Sequence, residues 1–492
     1  MGYLADIRYF GDVAAEQDSD VLSYFLKTPA IDEILTGKKH LVLGRKGSGK
    51  TALVKFFGRS TATEINIPVN LDNYPWKMHQ TRKNLGVSDV ESYVSSWKYF
   101  IAVQANQACL AHSNYKIIKD SQKAADHFLT ENYGGSRIKL EDVLKPKSLK
   151  LSKSSFKPSV LGVSLGQVDF ENAQGGVSPE LDALTDALVQ NALVMMSQQG
   201  IKRISLHFDE LDKGLSTFDN SREQILIGLV LASRSFFANS HTCNRVNPIV
   251  YLRTDLWEVM SFSDKNKITN SSTVTLEWDS GSLKELISRR IESKIGTGKG
   301  WDDIEDGELM RGSQTKWNHI ISRTLLRPRD IIQFLNIIAE LAIKGLPDAD
   351  IIENSDIIAA RDAYSKYFKG ELDDEIKTHW PKWIESIQAI SDISNLTFTR
   401  SVFEGAWRKK KESGKISVDE VLETLYQYSV IGYRRGIGTG GSAWVFQYTN
   451  PDAGWDNAAS RLQVHPGLKE FAKLRETRDI KPKPTLVRKK SA

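Results

Sequence analysis

Apolar residues fall in short, nearly continuous runs through the first three hundred positions: Leu41–Leu43, Glu64–Val69, Ile204–Phe208, Ile249–Leu252 and Val274–Leu276. Runs of this length that do not alternate with polar residues predict strands buried on both faces. Helical periodicity lies between them. Ser178-Pro179-Glu180 opens one helix with a serine cap and a first-turn proline, and Leu181, Leu184 and Leu188 mark its buried side. Strands alternating with helices predict an α/β fold whose parallel sheet is covered on both faces.

The same pattern divides the chain. Residues 1–37 read as an N-terminal helical segment and 38–300 as the α/β core. An insertion at 72–176 separates the second and third strands. Its first half is helical in pattern, and its stretch 137–157 sets seven Lys and Arg against Glu141 and Asp142. That stretch reads either as a flexible basic loop or as a contact for nucleic acid or an acidic partner. Residues 301–395 are mostly helical, as a lid and connector, with Ile331, Leu335, Ile338 and Leu341/Ala342 on one stripe.

From 396 to 475 the pattern predicts a winged-helix domain. A helix over Thr399–Lys411 is followed by one beginning at Ser417, where Ser417 and Glu420 form a capping box. Two wing strands, Ile431–Arg435 and Ala443–Tyr448, flank a glycine-rich tip, Leu462–Pro466 returns as a third strand, and Gly467–Leu474 is expected to close as a helix. The basic tail 476–492 reads as disordered.

Chemistry enters with the loop after the first strand. Gly44-Arg45-Lys46-Gly47-Ser48-Gly49-Lys50-Thr51 matches G-x-x-x-x-G-K-[ST], with a strand before it and a helix after it. Glycines let a backbone wrap phosphate oxygens closely, and the loop N–H groups with the helix N-terminus face the anion. Residues 44–51 are therefore the expected ATP cradle. Lys50 would reach the β- and γ-phosphates, and the Thr51 hydroxyl would bind Mg²⁺. A second metal-holding element is expected at Arg203–Asp212, an apolar strand ending in acids. There Asp209 is the candidate Mg²⁺ residue and Glu210 the base that polarises water.

Two further sites carry arginines. Pro248–Asp255 is a strand ending in Arg253, placed to sense the γ-phosphate or simply to pair with Asp255. Arg327-Pro328-Arg329-Asp330 opens a helix, where two cations oppose the macrodipole and call for an anion. Asp330 supplies part of that charge, and a nucleotide phosphate would make Arg327 or Arg329 a second sensor. Arg234, Arg289 and Arg290 are candidates for a finger offered to a neighbouring subunit.

This order of P-loop, Asp-Glu strand, Arg-ended strand and Arg-Pro-Arg-Asp helix resembles bacterial P-loop ATPases of the AAA+/STAND type, whose relatives include origin-recognition ATPases. Phe10-Gly11 with Ala15-Glu16-Gln17-Asp18, ahead of the loop, is similar to a bacterial subset of them. The resemblance covers about residues 10–345, and the winged helix extends it. Arg253 stands where common AAA+ proteins have Asn or Thr, whereas STAND proteins carry Arg. The resemblance implies an oligomeric ATP-driven switch or motor in nucleic-acid surveillance or antiphage defence, with a separately encoded effector.

Composition changes this picture little. Net charge is +5 from 66 basic and 61 acidic residues, too slight to argue for nucleic acid or membrane by itself. Near the wing, Arg408, Lys409, Lys410, Lys411, Arg434 and Arg435 are basic, but the preceding helix carries Asp419, Glu420 and Glu423. Sequence-specific readout, nonspecific DNA contact and protein contact all stay open there. Two distant cysteines form no disulfide framework, nine histidines form no metal spacing, and no apolar run is long enough to span a membrane. A cytoplasmic protein is expected. The rival readings are a DNA-binding loader of origin-recognition type and a scaffold that binds nucleotide without turning it over.

Overall fold

The computed structural model describes residues 2–70, 90–112, 119–138, 142–143, 148–150, 167–169, 179–211, 220–377, 379–411, 414–437 and 441–476. The chain forms two units, Gly11–Ser293 and Met1–Phe10 with Lys294–Ala492. The expected N-terminal segment 1–37 is thus divided: its first ten residues belong with the C-terminal unit. There the Tyr3–Ile7 helix is tied by Leu4 N–H to the Asp350 carbonyl (3.1 Å), and Phe10 N–H donates to Asn336 Oδ1 (2.7 Å).

In the unit 11–293 the main strands are β1 (Leu41–Gly44), β2 (Glu64–Asn70), β5 (Arg203–Asp209), β6 (Val246–Arg253) and β7 (Thr273–Thr275). Short strands β3 (Ser148–Lys150) and β4 (Gln167–Asp169) pair antiparallel within the insertion. The five main strands form one parallel sheet in the order β2-β5-β6-β1-β7. Alternation along each strand assigns its two faces. Leu41, Leu43, Ile204, Leu206, Phe208, Val250 and Leu252 join the larger core under helices Val90–His112, Pro179–Gln199 and Asn220–Ala238. Val42, Ile249, Tyr251 and Val274 face helices Pro29–Leu35 and Lys50–Phe57. Burying each such side chain contributes about 1.5–3 kcal/mol, which is why the runs are apolar throughout. β2 is an edge strand and carries Pro68, which has no N–H to leave unpaired.

The helical half of the expected insertion is present as Val90–His112 and Asp120–Tyr133. Most of the basic stretch 137–157 lies outside the described residues.

In the other unit, helices Lys316–Ile321, Pro328–Gly345, Asn354–Ile376 and Trp383–Ile393 precede the winged helix. Its sheet joins β8 (Thr397–Phe398), β9 (Ile431–Ile437), β10 (Gly441–Val445) and β11 (Leu462–Val464) in the antiparallel order β10-β9-β11-β8. Helices Arg400–Trp407 and Val418–Gln427 complete it. The first ends four residues earlier than expected, in turns tightened by Lys409 and Lys410 N–H to Ala406 and Trp407 carbonyls.

The closing helix expected over 467–474 is not formed. A single 3₁₀ turn, Pro466–Leu468, is followed by turns. Arg475 N–H donates to the Ser394 carbonyl and Leu396 N–H to that of Arg475, both at 2.9 Å, so this end of the chain pairs with residues 394–396 instead of coiling. Of the expected tail 476–492, residues 477–492 lie outside the described residues. No helix among the described residues is long and apolar enough to cross a membrane.

Candidate nucleotide site

The loop begins where β1 ends. Gly44 lies level with Arg253 of β6 in the parallel register, and the Lys50–Phe57 helix starts six residues on. Gly47 and Gly49 have φ of +80° and +99°, a backbone region that only glycine enters without strain. Gly49 is the N-cap of the helix. The Lys50 ammonium folds back on the loop and donates to the carbonyls of Gly44 (2.7 Å) and Arg45 (3.0 Å). Ser48 N–H donates to the Arg45 carbonyl (3.1 Å), closing the turn. Arg45, Lys46, Lys50 and Thr51 are half-buried and Ser48 is buried.

Two features fit this loop to a nucleotide phosphate. A Cβ at Gly44 would collide with Ser48 Oγ, so the loop closes on its own serine only because position 44 has no side chain. Among the described residues the buried Ser48 Oγ has no hydrogen-bond partner, as expected of a polar atom reserved for a ligand or water.

The carboxyl ends of the neighbouring strands meet the same edge. Asp209 is the last residue of β5 and 6% exposed. Strand spacing puts β5 about 10 Å from β1 across β6, room for a phosphate and its metal. Glu210 follows in a left-handed conformation, φ +60°, which costs a residue with a side chain about 1 kcal/mol or more. Arg253 ends β6 with its guanidinium bidentate on Asp255, Nε to Oδ1 at 3.0 Å and Nη2 to Oδ2 at 2.6 Å. A turn further, burial and the Asp255 charge raise the Glu258 pKa, opposed by Arg45 of the loop and by Lys265. Asp212 lies outside the described residues.

Beneath this edge, His207 of β5 joins its neighbours on the helix-covered face. Nδ1 is 2.9 Å from the Tyr251 hydroxyl, Nε2 is 3.2 Å from Asn66 Oδ1, and the ring stacks on Phe57 of the P-loop helix at 5.5 Å. Burial drives the His207 pKa down to about 3, so the ring stays neutral. A second unforeseen cluster lies near the start of this unit. Buried Asp18 accepts from the Tyr24 hydroxyl and pairs with Arg290 (3.3 Å), whose guanidinium stacks on Tyr24 at 4.2 Å. Lys55 of the P-loop helix donates to the Glu16 and Asp18 carbonyls at 3.1 and 3.3 Å. At 5% exposure, Arg290 is committed to Asp18 inside the unit 11–293. Arg289 and Arg234 are more accessible, and pair with Glu285 (2.9 Å) and Asp264 (3.0 Å). Little local signal marks either cluster: apart from Tyr24 and Asp18, six residues apart, the partners stand 37 to 272 residues apart.

Arg327 and Arg329 belong to the other unit. Arg327 is 2% exposed; its Nε and Nη2 donate to Asp330 at 3.0 Å each, and Nη1 donates to Glu375. Burial works against its charge, and the two carboxylates more than offset this, holding its pKa well above the ordinary value. Arg329 Nη1 donates to Glu371 at 3.3 Å. The anions required at this helix start are therefore carboxylates of the unit itself. Among the described residues no group of His, Cys, Asp and Glu forms a ready metal cage.

Residues 281–373 match the family described as the FunZ-associated C-terminal helical domain, less than half of the chain. None of the curated proteins matches the sequence. Among solved structures, the chain is similar to the Orc1 protein of Aeropyrum pernix in a complex with DNA, at 10% identity over 90% of this chain and 91% of that one, with a TM-score of 0.34. It is also similar to Cdc6p from Pyrobaculum aerophilum, at 10% identity over 93% and 97%, with a TM-score of 0.31. At those scores neither structure bears on the site.

Proposed function

We propose that this protein binds ATP in the loop 44–51 and hydrolyses it. The observation that carries the reading is the meeting of the glycine-turned loop with Asp209 and the left-handed Glu210 at one sheet edge. Lys50 exchanges its loop carbonyls for phosphate oxygens, while loop N–H groups and the helix N-terminus hold the phosphate chain. Thr51 and Asp209 would hold magnesium, which when bound draws negative charge off the phosphates. Glu210 accepts a proton as water attacks the γ-phosphorus; the new P–O bond forms as the bond to the bridging oxygen breaks, and ADP leaves.

Arg253, aligned by Asp255, is the sensor of the γ-phosphate in this reading. Arg329 is the second-sensor candidate, and Arg327, saturated by two carboxylates, anchors its helix. We further propose an oligomeric switch of AAA+/STAND type, acting in nucleic-acid surveillance or antiphage defence through a separate effector. What supports this is the resemblance of the motif order. A DNA-binding loader is the second reading, favoured by the exposed Arg434 and Arg435 of the wing strand β9. The exposed Glu420 and Glu423 of the preceding helix oppose it.

The test is ATP turnover with and without double-stranded DNA, in wild type, Lys50→Ala and Glu210→Gln. Turnover should fall at least a hundredfold in both variants, with nucleotide binding lost only in Lys50→Ala. Stimulation by DNA that fades with salt would favour the loader. Absence of turnover in wild type under every condition would leave the nucleotide-dependent scaffold.

A further inference from the structure

Trp278 stands 230 residues from the P-loop in sequence, yet its indole Nε1–H donates to the Ser48 carbonyl at 2.8 Å. Its mount is held on both sides. Before it, Leu276 N–H donates to the Leu43 carbonyl of β1 at 2.8 Å, which fixes the end of β7 beside the loop. After it, Asp279 Oδ1 accepts from Ser282 N–H (2.7 Å) and Ser282 Oγ (2.8 Å), capping the Ser280–Ile295 helix. The indole is half-buried between these anchors.

In a trans peptide the carbonyl and the next N–H point in opposite directions. Holding the Ser48 carbonyl towards Trp278 therefore turns the Gly49 N–H away from it. That N–H leads the Lys50–Phe57 helix and is among the donors that a helix leaves without an internal partner. The plane needs holding because Gly49, at φ +99°, has no side chain to restrict rotation on its side of the peptide. We propose that Trp278 is a positioning residue of the nucleotide site, which sets the Ser48–Gly49 peptide plane so that the Gly49 N–H is presented to a phosphate. This rests on the reading of residues 44–51 as a nucleotide loop. Trp278 touches no substrate in this role; it acts through Ser48.

Trp278→Phe keeps an aromatic ring while removing the donor and the smaller ring of the indole. ADP and ATP affinities of the full chain are measured by calorimetry beside wild type and Lys50→Ala, with thermal unfolding in the absence of nucleotide. The expected result is a tenfold weaker affinity for both nucleotides, a KM for ATP raised in proportion, kcat within twofold of wild type, and an unchanged nucleotide-free unfolding temperature. In ¹⁵N-labelled protein, the Trp278 indole resonance, assigned by its loss in Trp278→Phe, should shift on adding ADP. Equal affinity in wild type and Trp278→Phe, or an indole resonance indifferent to ADP, overturns the proposal while binding lost only in Lys50→Ala keeps the loop reading. A wild type that binds neither nucleotide overturns both. Should Trp278→Phe unfold at a lower temperature, the indole shift in unmodified protein still decides.

Discussion

Arg290 shows how much one side chain contributes once its surroundings are closed. Its guanidinium pairs with Asp18 and stacks on Tyr24, and both members of the pair are nearly inaccessible. Truncating one partner strands the other charge in a medium that solvates it poorly. Arg290→Ala should therefore destabilise the unit 11–293 by about 3–5 kcal/mol, far more than an exposed arginine would, and chemical denaturation would measure it. Arg289→Ala, next to it but exposed and paired with Glu285 one helical turn away, should change stability by less than about 0.5 kcal/mol. Nothing in the residue types distinguishes the two positions. The fold does, by turning one towards Asp18 and the other towards solvent.

At the scale of elements, local chemistry was often legible. The five runs read as strands are strands, and the loop glycines occupy the backbone region that their residue type permits. Ser417 accepts from Glu420 N–H at 3.2 Å and caps the helix before the wing. Ser417→Ala should lower stability by about 1 kcal/mol, visible as a small drop in unfolding temperature of the C-terminal unit, whereas Ser417→Asp should hold it. Where local reading failed, a distant partner had taken the backbone groups. Residues 467–474 read as a helix, but Phe471 N–H donates to Ser365 Oγ at 2.9 Å, the Gly467 carbonyl accepts from the same hydroxyl at 2.7 Å, and just beyond them Arg475 pairs with Ser394 and Leu396. These bonds hold the segment in turns. β8, two residues long, is too short for periodicity to show and exists because β11 lies beside it.

At the scale of the whole molecule, buried histidines couple stability to pH. His207 is pushed to about 3 by burial, and His40 to about 4 by burial and the charge of Arg234. In the unfolded chain both titrate near 6.5. The sign follows from which state takes up protons: below about pH 6.5 the unfolded chain binds protons that the folded chain refuses, so acid favours unfolding. Their contribution is fully present above pH 6.5 and is lost progressively towards pH 4 and then 3. Each histidine steepens the decline by up to about 1.4 kcal/mol per pH unit within that window. Unfolding temperatures between pH 7.5 and 4.5 should fall accordingly, and His207→Gln should flatten the slope whatever it does to absolute stability.

The amino-acid sequence by itself determined what depends on neighbours in the chain. Apolar runs specify strands, glycines at 47 and 49 specify the loop's turns, and an acid pair after an apolar run specifies Asp209 and Glu210. Backbone sterics and short-range patterning act over a few residues and need no knowledge of the rest. The tertiary structure decided which cation meets which distant anion: Arg290 with Asp18, and Arg327 with Glu375. It also drew the first ten residues into the unit of the last two hundred and brought the Trp278 indole to the Ser48 carbonyl. Such contacts join residues tens to hundreds of positions apart. They form only when the summed burial of many side chains has already brought those positions together, so no short stretch of sequence carries their signature.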